Sequence, residues 1–131
     1  MTPPTRDHVT DAELTVLKAL WERGTSTIRE LTDDLYPGGG AAHYATVQKL
    51  LERLETKACV KRRARGRVNV YTASRGRNEL IAHRLRETAD KLCEGSLTPL
   101  LTHLMGSVKL SRDQVAELRR LVDRMERRRE A

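Results

Sequence analysis

A chain of 131 residues suits one compact domain with at most a small appendage, and with no Phe, three Tyr and one Trp its core must be mostly Leu, Val and Ala. The net charge of +7 is concentrated: residues 43–77 hold ten Lys or Arg against two Glu, while the rest hold fifteen against sixteen acids, the footprint of a polyanion partner. No run approaches the ~18 apolar residues of a membrane span, and MTPPTRDHV lacks the apolar stretch of a signal peptide, so a cytoplasmic protein without membrane insertion is expected.

Thr10-Asp-Ala-Glu13 reads as a capping box, with the Thr10 hydroxyl and the Glu13 carboxylate satisfying free amides of a first helical turn. Leu14, Leu17, Leu20 and Trp21 continue it as an apolar stripe until Gly24. Thr25 to Thr27 is short, polar and partly β-branched, enough for one edge strand or a cap. Ile28, Leu31 and Leu35 predict a second helix of about ten residues, stopped at Tyr36-Pro37, and Gly38-Gly39-Gly40 then reads as a flexible turn.

A third helix is predicted from about Ala42 to Lys57. Tyr44, Val47, Leu50, Leu51 and Leu54 mark its apolar side. Two β-like runs follow, about Val60 to Ala64 and Val68 to Thr72, joined by Arg65-Gly66-Arg67, where Gly66 supplies the positive φ of a hairpin turn. Three helices and a hairpin spell a winged helix-turn-helix over residues 1–77, so the expected fold class is mainly α with a small β-hairpin wing. Val68, Val70 and Tyr71 should pin the hairpin to the helices while the arginines beside them face a polyanion.

From Arg77 the pattern is helical again. Leu80, Ile81, Leu85 and Leu92 mark a fourth helix, and Leu97, Leu100, Leu101, Leu104 and Met105 a short fifth, with Pro99 in its first turn. Ser111-Arg-Asp-Gln114 is a second capping box, after which Val115, Leu118, Val122 and Met125 recur at spacings of three, four and three. These stripes have little bulk among them to bury. Residues 78–131 are therefore expected to form a helical dimerisation domain through Leu85, Leu92, Leu97, Leu101, Leu104, Val115, Leu118, Val122 and Met125, the alternative being that they fold back on the first domain. The terminal Arg127-Arg128-Arg129 is expected to fray into solvent.

Three stretches, VTDAELTVLKALWERGTSTIRELTDDL, YATVQKLLERLETKACVKRRARGRVNVYTA and LSRDQVAELRRLVDRM, resemble the BlaI/MecI-type penicillinase repressor family, from about Thr10 to Arg129. The most specific match is the family's A-E-x-x-V/I-x-x-x-L-W in the first helix, met here by Ala12, Glu13, Val16, Leu20 and Trp21. The resemblance implies a homodimeric winged-helix repressor with its N-terminal domain on a double-stranded DNA operator and its C-terminal helices making the dimer. It also implies an antibiotic response in which a membrane-bound sensor metalloprotease, or a pathway it triggers, cuts the repressor. The family's Asn-Phe cut site falls on His103-Leu104. Two further departures are Ala58-Cys59, where the family usually has Gly and an aliphatic residue in a left-handed cap, and Ala45, where relatives often place Thr or Lys. The copper-responsive branch carries a C-terminal cysteine pair cluster, which MERRREA lacks.

A helix N-terminus entering a major groove offers its first two turns to base edges, so His43, Tyr44, Ala45, Thr46, Gln48 and Lys49 are the candidates. Gln48 suits a bidentate pair with adenine, Thr46 a phosphate or thymine methyl, and Lys49 guanine or phosphate. Arg53, Arg62, Arg63, Arg65 and Arg67 read as phosphate contacts, about half of them touching DNA because strand neighbours point to opposite faces. Ser26 and Thr27 offer hydroxyl and amide groups to a phosphate at the second helix.

Trp21 and the tyrosines read as core and hairpin anchors. His8, His43, His83 and His103 have no metal spacing, Cys59 and Cys93 no C-x-x-C, and no nucleophile order or phosphate loop is visible, so no enzyme, metal or cofactor is expected. Two other readings stay open: a winged-helix regulator released by oxidation at Cys59 or Cys93 or by a small ligand, and a module that recruits a protein partner.

Overall fold

The computed structural model of the protein describes residues 8–130, so most of the opening MTPPTRDHV lies outside the described residues. The elements run α1 (Asp11–Arg23), β1 (Ser26–Thr27), α2 (Ile28–Leu35), α3 (Ala41–Thr56), β2 (Val60–Arg65), β3 (Val68–Ala73), α4 (Arg77–Leu92), α5 (Thr98–Ser107) and α6 (Arg112–Glu130). The chain divides into two compact units, one ending at Ala82 and the other starting at His83, within α4. The fold is mainly α with a small antiparallel sheet, a winged helix-turn-helix followed by helices.

The first unit has one core. Leu17, Leu31, Leu51, Leu54 and Val47 are fully buried, with Leu20, Val60 and Tyr71 almost so and Leu14, Trp21, Leu35 and Tyr44 packed around them. Each buried Leu or Val contributes roughly 1.5–3 kcal/mol, and α1 to α3 meet through these side chains.

The cap of α1 differs from the expected box. The Thr10 hydroxyl does accept the Glu13 amide at 3.2 Å, but the Glu13 carboxylate does not reach back to the Thr10 amide. It is 1% exposed, and the Lys57 ammonium sits 2.6 and 2.7 Å from its two oxygens while also donating to the His8 carbonyl. A buried carboxylate without a partner is costly, and a full charge satisfies it better than an amide.

Thr25 to Thr27 serves both predicted purposes. Ser26 and Thr27 pair with Tyr71 and Val70 of β3, and Thr27 also caps α2, its hydroxyl accepting the Glu30 amide at 3.1 Å while Glu30 accepts the Thr27 amide at 3.0 Å. The wing is thus part of a three-stranded sheet in the order β1-β3-β2. A two-residue loop, Gly66-Arg67, closes β2 on β3, with Gly66 at φ +66°.

The Gly38-Gly39-Gly40 turn is tight. Gly38 has φ +75°, and a Cβ at Gly39 would lie 2.8 Å from the Tyr36 carbonyl oxygen. The α2 to α3 turn therefore has one compact geometry that needs both glycines.

At the other end of α3, Ala58 takes φ +60°. The Cys59 amide donates to Leu54 and the Ala58 amide to Glu55, which is a Schellman stop built on alanine.

In the second unit the Ser111 box forms as expected, with the Gln114 amide 3.1 Å from Ser111 Oγ and the Ser111 amide 2.9 Å from Gln114 Oε1. Pro99 lies in the first turn of α5. The terminal arginines do not fray, since α6 continues to Glu130. Nothing after Val122 interrupts it, and cations suit a helix C-terminus. No side chain of α5 or α6 is buried.

Candidate nucleic-acid interface

With Val47, Leu50, Leu51 and Leu54 turned into the core, the opposite side of α3 carries Ala42, Ala45, Lys49, Glu52 and Thr56, all exposed and recurring every three or four residues. Thr46 and Arg53 occupy one flank of that face. Gln48, Glu52 and Glu55 occupy the other, which meets the wing, because Glu55 lies 3.4 Å from Arg62 of β2.

Sheet register sorts the wing cations. Arg62 lies opposite Tyr71, whose ring is in the core, so Arg62 is on the inner face and its charge is shared with Glu55. Lys61, Arg63 and Arg65 lie opposite Thr72, Val70 and Val68 on the outer face, and Arg67 is in the turn. Arg63 and Arg65 flank a shallow cleft of about 410 Å³ with Thr25 and Val70.

The first turn of α3 is braced. The His43 ring sits 4.5 Å from that of Tyr36, and the Arg29 guanidinium lies 5.5 Å over the half-buried Tyr44 ring. Tyr44 is therefore mainly a packing residue under a cation. The Thr46 hydroxyl donates back to the Ala42 carbonyl at 3.0 Å and keeps acceptor capacity outward. Gln48, Lys49 and Arg53 are exposed and undisturbed by the fold.

Ser26 departs from expectation. It is 1% exposed, and its hydroxyl donates to the Gly24 carbonyl, because pairing with Tyr71 turns it to the inner face. Its hydroxyl is not presented to a phosphate. Thr27 is half-buried with its oxygen accepting the Glu30 amide. That cap, together with Arg23, holds the Glu30 carboxyl below its usual range, and burial raises the Tyr71 phenol.

Four of the ten cations in residues 43–77 have other work. Lys57 pairs with Glu13, Arg62 with Glu55 and Arg75 with Glu79, while Arg77 stacks on Trp21. Lys49, Arg53, Lys61, Arg63, Arg65 and Arg67 remain exposed and outside these interactions. Arg29 is an exposed cation beside α3 that sequence reasoning passed over, because it lies outside the charge-rich residues 43–77. Among the described residues no three His, Cys, Asp or Glu side chains gather as a metal site would need.

The family model described as penicillinase repressor matches residues 9–124. The chain belongs to the penicillinase repressor family. It is 24% identical over 116 residues to the penicillinase repressor of Bacillus licheniformis, covering 88% of this chain and 90% of that one. The solution structure of the DNA-binding domain of the repressor BlaI is similar at 27% identity, with a TM-score of 0.48, over 57% of this chain and 90% of that one. The matched family is one of transcriptional repressors, not of enzymes. Among the described residues of this family member, no helix is long and apolar enough to cross a membrane.

Proposed function

We propose that this repressor acts as a homodimer on a pseudo-palindromic DNA operator, residues 1–77 reading DNA and residues 78–131 making the dimer. The observation that carries the DNA reading is the exposed polar face of α3 beside six outward cations on one unit. Gln48 and Lys49 read base edges, helped by Thr46 and His43, while Arg53, Arg63, Arg65 and Arg67 contact phosphate and Arg29 adds a further cation. Two α3 helices then enter successive major grooves about 34–36 Å apart.

The dimer reading rests on the second unit's own surface. Leu92, Leu97, Leu101, Leu104, Leu118, Val122 and Met125 are all exposed, as is Leu85 of α4, and Val115 is half-buried. So many large apolar side chains left exposed on one unit call for a partner. Release follows a cut at His103-Leu104, in the exposed α5, by a membrane sensor metalloprotease or its pathway. Separating the dimer helices would remove the effective concentration that joins two weak half-site contacts, leaving every base contact intact.

Binding selection from a random duplex pool tests this, with the selected DNA then titrated at several salt concentrations. An inverted repeat and a salt slope of about −4 to −5 per protomer support it, since each of the four or five phosphate-facing cations releases about one counterion. A slope near zero, or DNA without symmetry, would favour the protein-recruiting module instead. Mass mapping of the chain in cells challenged with a penicillin tests the cut, and an intact His103-Leu104 bond after induction removes that step. Of the two cysteines of the redox route, Cys59 is fully buried and Cys93 is half-buried, so an oxidant would meet Cys93 first.

A further inference from the structure

Trp21 ends the apolar stripe of α1, yet its polar edge is used far away in sequence. The indole N–H donates to the carbonyl of Arg75, 54 residues on, at 2.8 Å, and the Arg77 guanidinium lies 5.3 Å over the ring centroid. The same link is held from the turn that follows α3. The Ser74 amide donates to the Cys59 carbonyl and its hydroxyl to the Ala58 carbonyl, both at 2.9 Å. Leu80, one turn into α4, is buried in the first unit's core. All of these contacts lie within the first unit, which ends at Ala82, so the residues that leave the wing are tied to that unit at several points.

A half-buried indole N–H usually finds an acceptor, and any nearby carbonyl would serve. Here the acceptor is the strand exit itself, and the next cation caps the ring. We propose that Trp21 is a positioning residue: its clamp on Arg75 and Arg77 fixes where the chain leaves the DNA-reading unit, so that the dimer accepts one separation of operator half-sites. The inference rests on the homodimer reading above. A loose exit would act as a tether, whose effective concentration falls only slowly with distance. A clamped exit turns each inserted base pair, about 35° of rotation, into strain on both contacts.

The test uses the full chain, the operator selected from a random pool, and versions with one or two base pairs inserted between half-sites or with one half-site destroyed. The wild-type chain should lose about tenfold or more per inserted base pair, within the range that loss of avidity allows. Trp21→Phe keeps the apolar bulk without the N–H. It should bind the native spacing and the single half-site within about threefold of wild type, yet lose less than about threefold on the insertion. Arg77→Gln, at an exposed position that cannot hollow the core, should relax spacing in the same direction and decides alone if Trp21→Phe does not fold. Unchanged spacing profiles in the folded variants overturn the inference, as does a wild-type chain indifferent to spacing. A monomer by sedimentation, or selected DNA without an inverted repeat, overturns the dimer reading and this inference with it.

Discussion

The two units use the same kind of apolar periodicity and reach opposite ends. In α1 and α3 the leucines close on each other, with Leu17, Leu51 and Leu54 at 0% exposure. In α5 and α6 the stripe is as regular, yet Leu101 is 57% and Met125 64% exposed. Periodicity gives a helix an apolar side, but it does not supply what that side meets. The first unit has three helices and a sheet to converge on one centre, whereas α5 and α6 of the second have stripes and bury none of their side chains.

The sharpest way to break this contrast is a matched truncation. Leu54→Ala should cost about 2–5 kcal/mol in urea unfolding, and Leu101→Ala under about 0.5 kcal/mol at concentrations where the chain is monomeric. Raising the concentration should widen the Leu101→Ala deficit if the stripe is a dimer seam. Equal losses in dilute solution would mean that both units bury their own leucines.

The first unit also holds a fully buried charge, while in the second the exposed Lys91 pairs with Glu87. Lys57→Met leaves the Glu13 carboxylate buried, so a loss of about 3 kcal/mol is expected, much of it recovered when Glu13→Gln is added. In the second unit Lys91→Met, which removes the exposed Lys91–Glu87 pair, should cost at most about 0.5 kcal/mol. Similar costs on urea titration would deny the Lys57 pair its place in the core.

Among the described residues each unit has one left-handed residue with a side chain, Ala58 at φ +60° and Glu94 at φ +51°. Ala58→Gly should stabilise the chain by up to about 1 kcal/mol, raising the melting temperature by a few degrees. A drop instead would show that the lost rigidity of the unfolded chain outweighs the relieved strain.

The smallest effect concerns Glu30, whose carboxyl is held low by the Thr27 amide and hydroxyl. The unfolded chain then binds its proton more readily, so this stabilisation is present at neutral pH and is lost as pH falls through the lowered folded value. Melting temperatures followed into acid should fall less steeply for Glu30→Gln than for wild type, and parallel curves would exclude the cap as the source.

Local signals were legible where both partners lie within a turn. The Ser111–Gln114 box and the Gly66 turn form as read, because three residues of separation leave no competitor. Reading failed where a distant group intervened. Glu13 had the spacing of a cap, but Lys57, 44 residues on, outbid the amide. Ser26 looked like a helix-start hydroxyl, and pairing with Tyr71 turned it inward. The arginine run resolved into two faces only once register put Arg62 beside Glu55.

The sequence alone determined which segments are helical or extended, the winged helix-turn-helix order and the place of the excess charge, because capping, periodicity and composition are properties of neighbouring residues. Only the tertiary structure decided which of those charges are left facing outward, why Gly39 cannot carry a Cβ, and that Trp21 holds the exit of the wing. Those outcomes depend on pairs of groups far apart in the chain, and their free energy exists only when folding has brought both to one place.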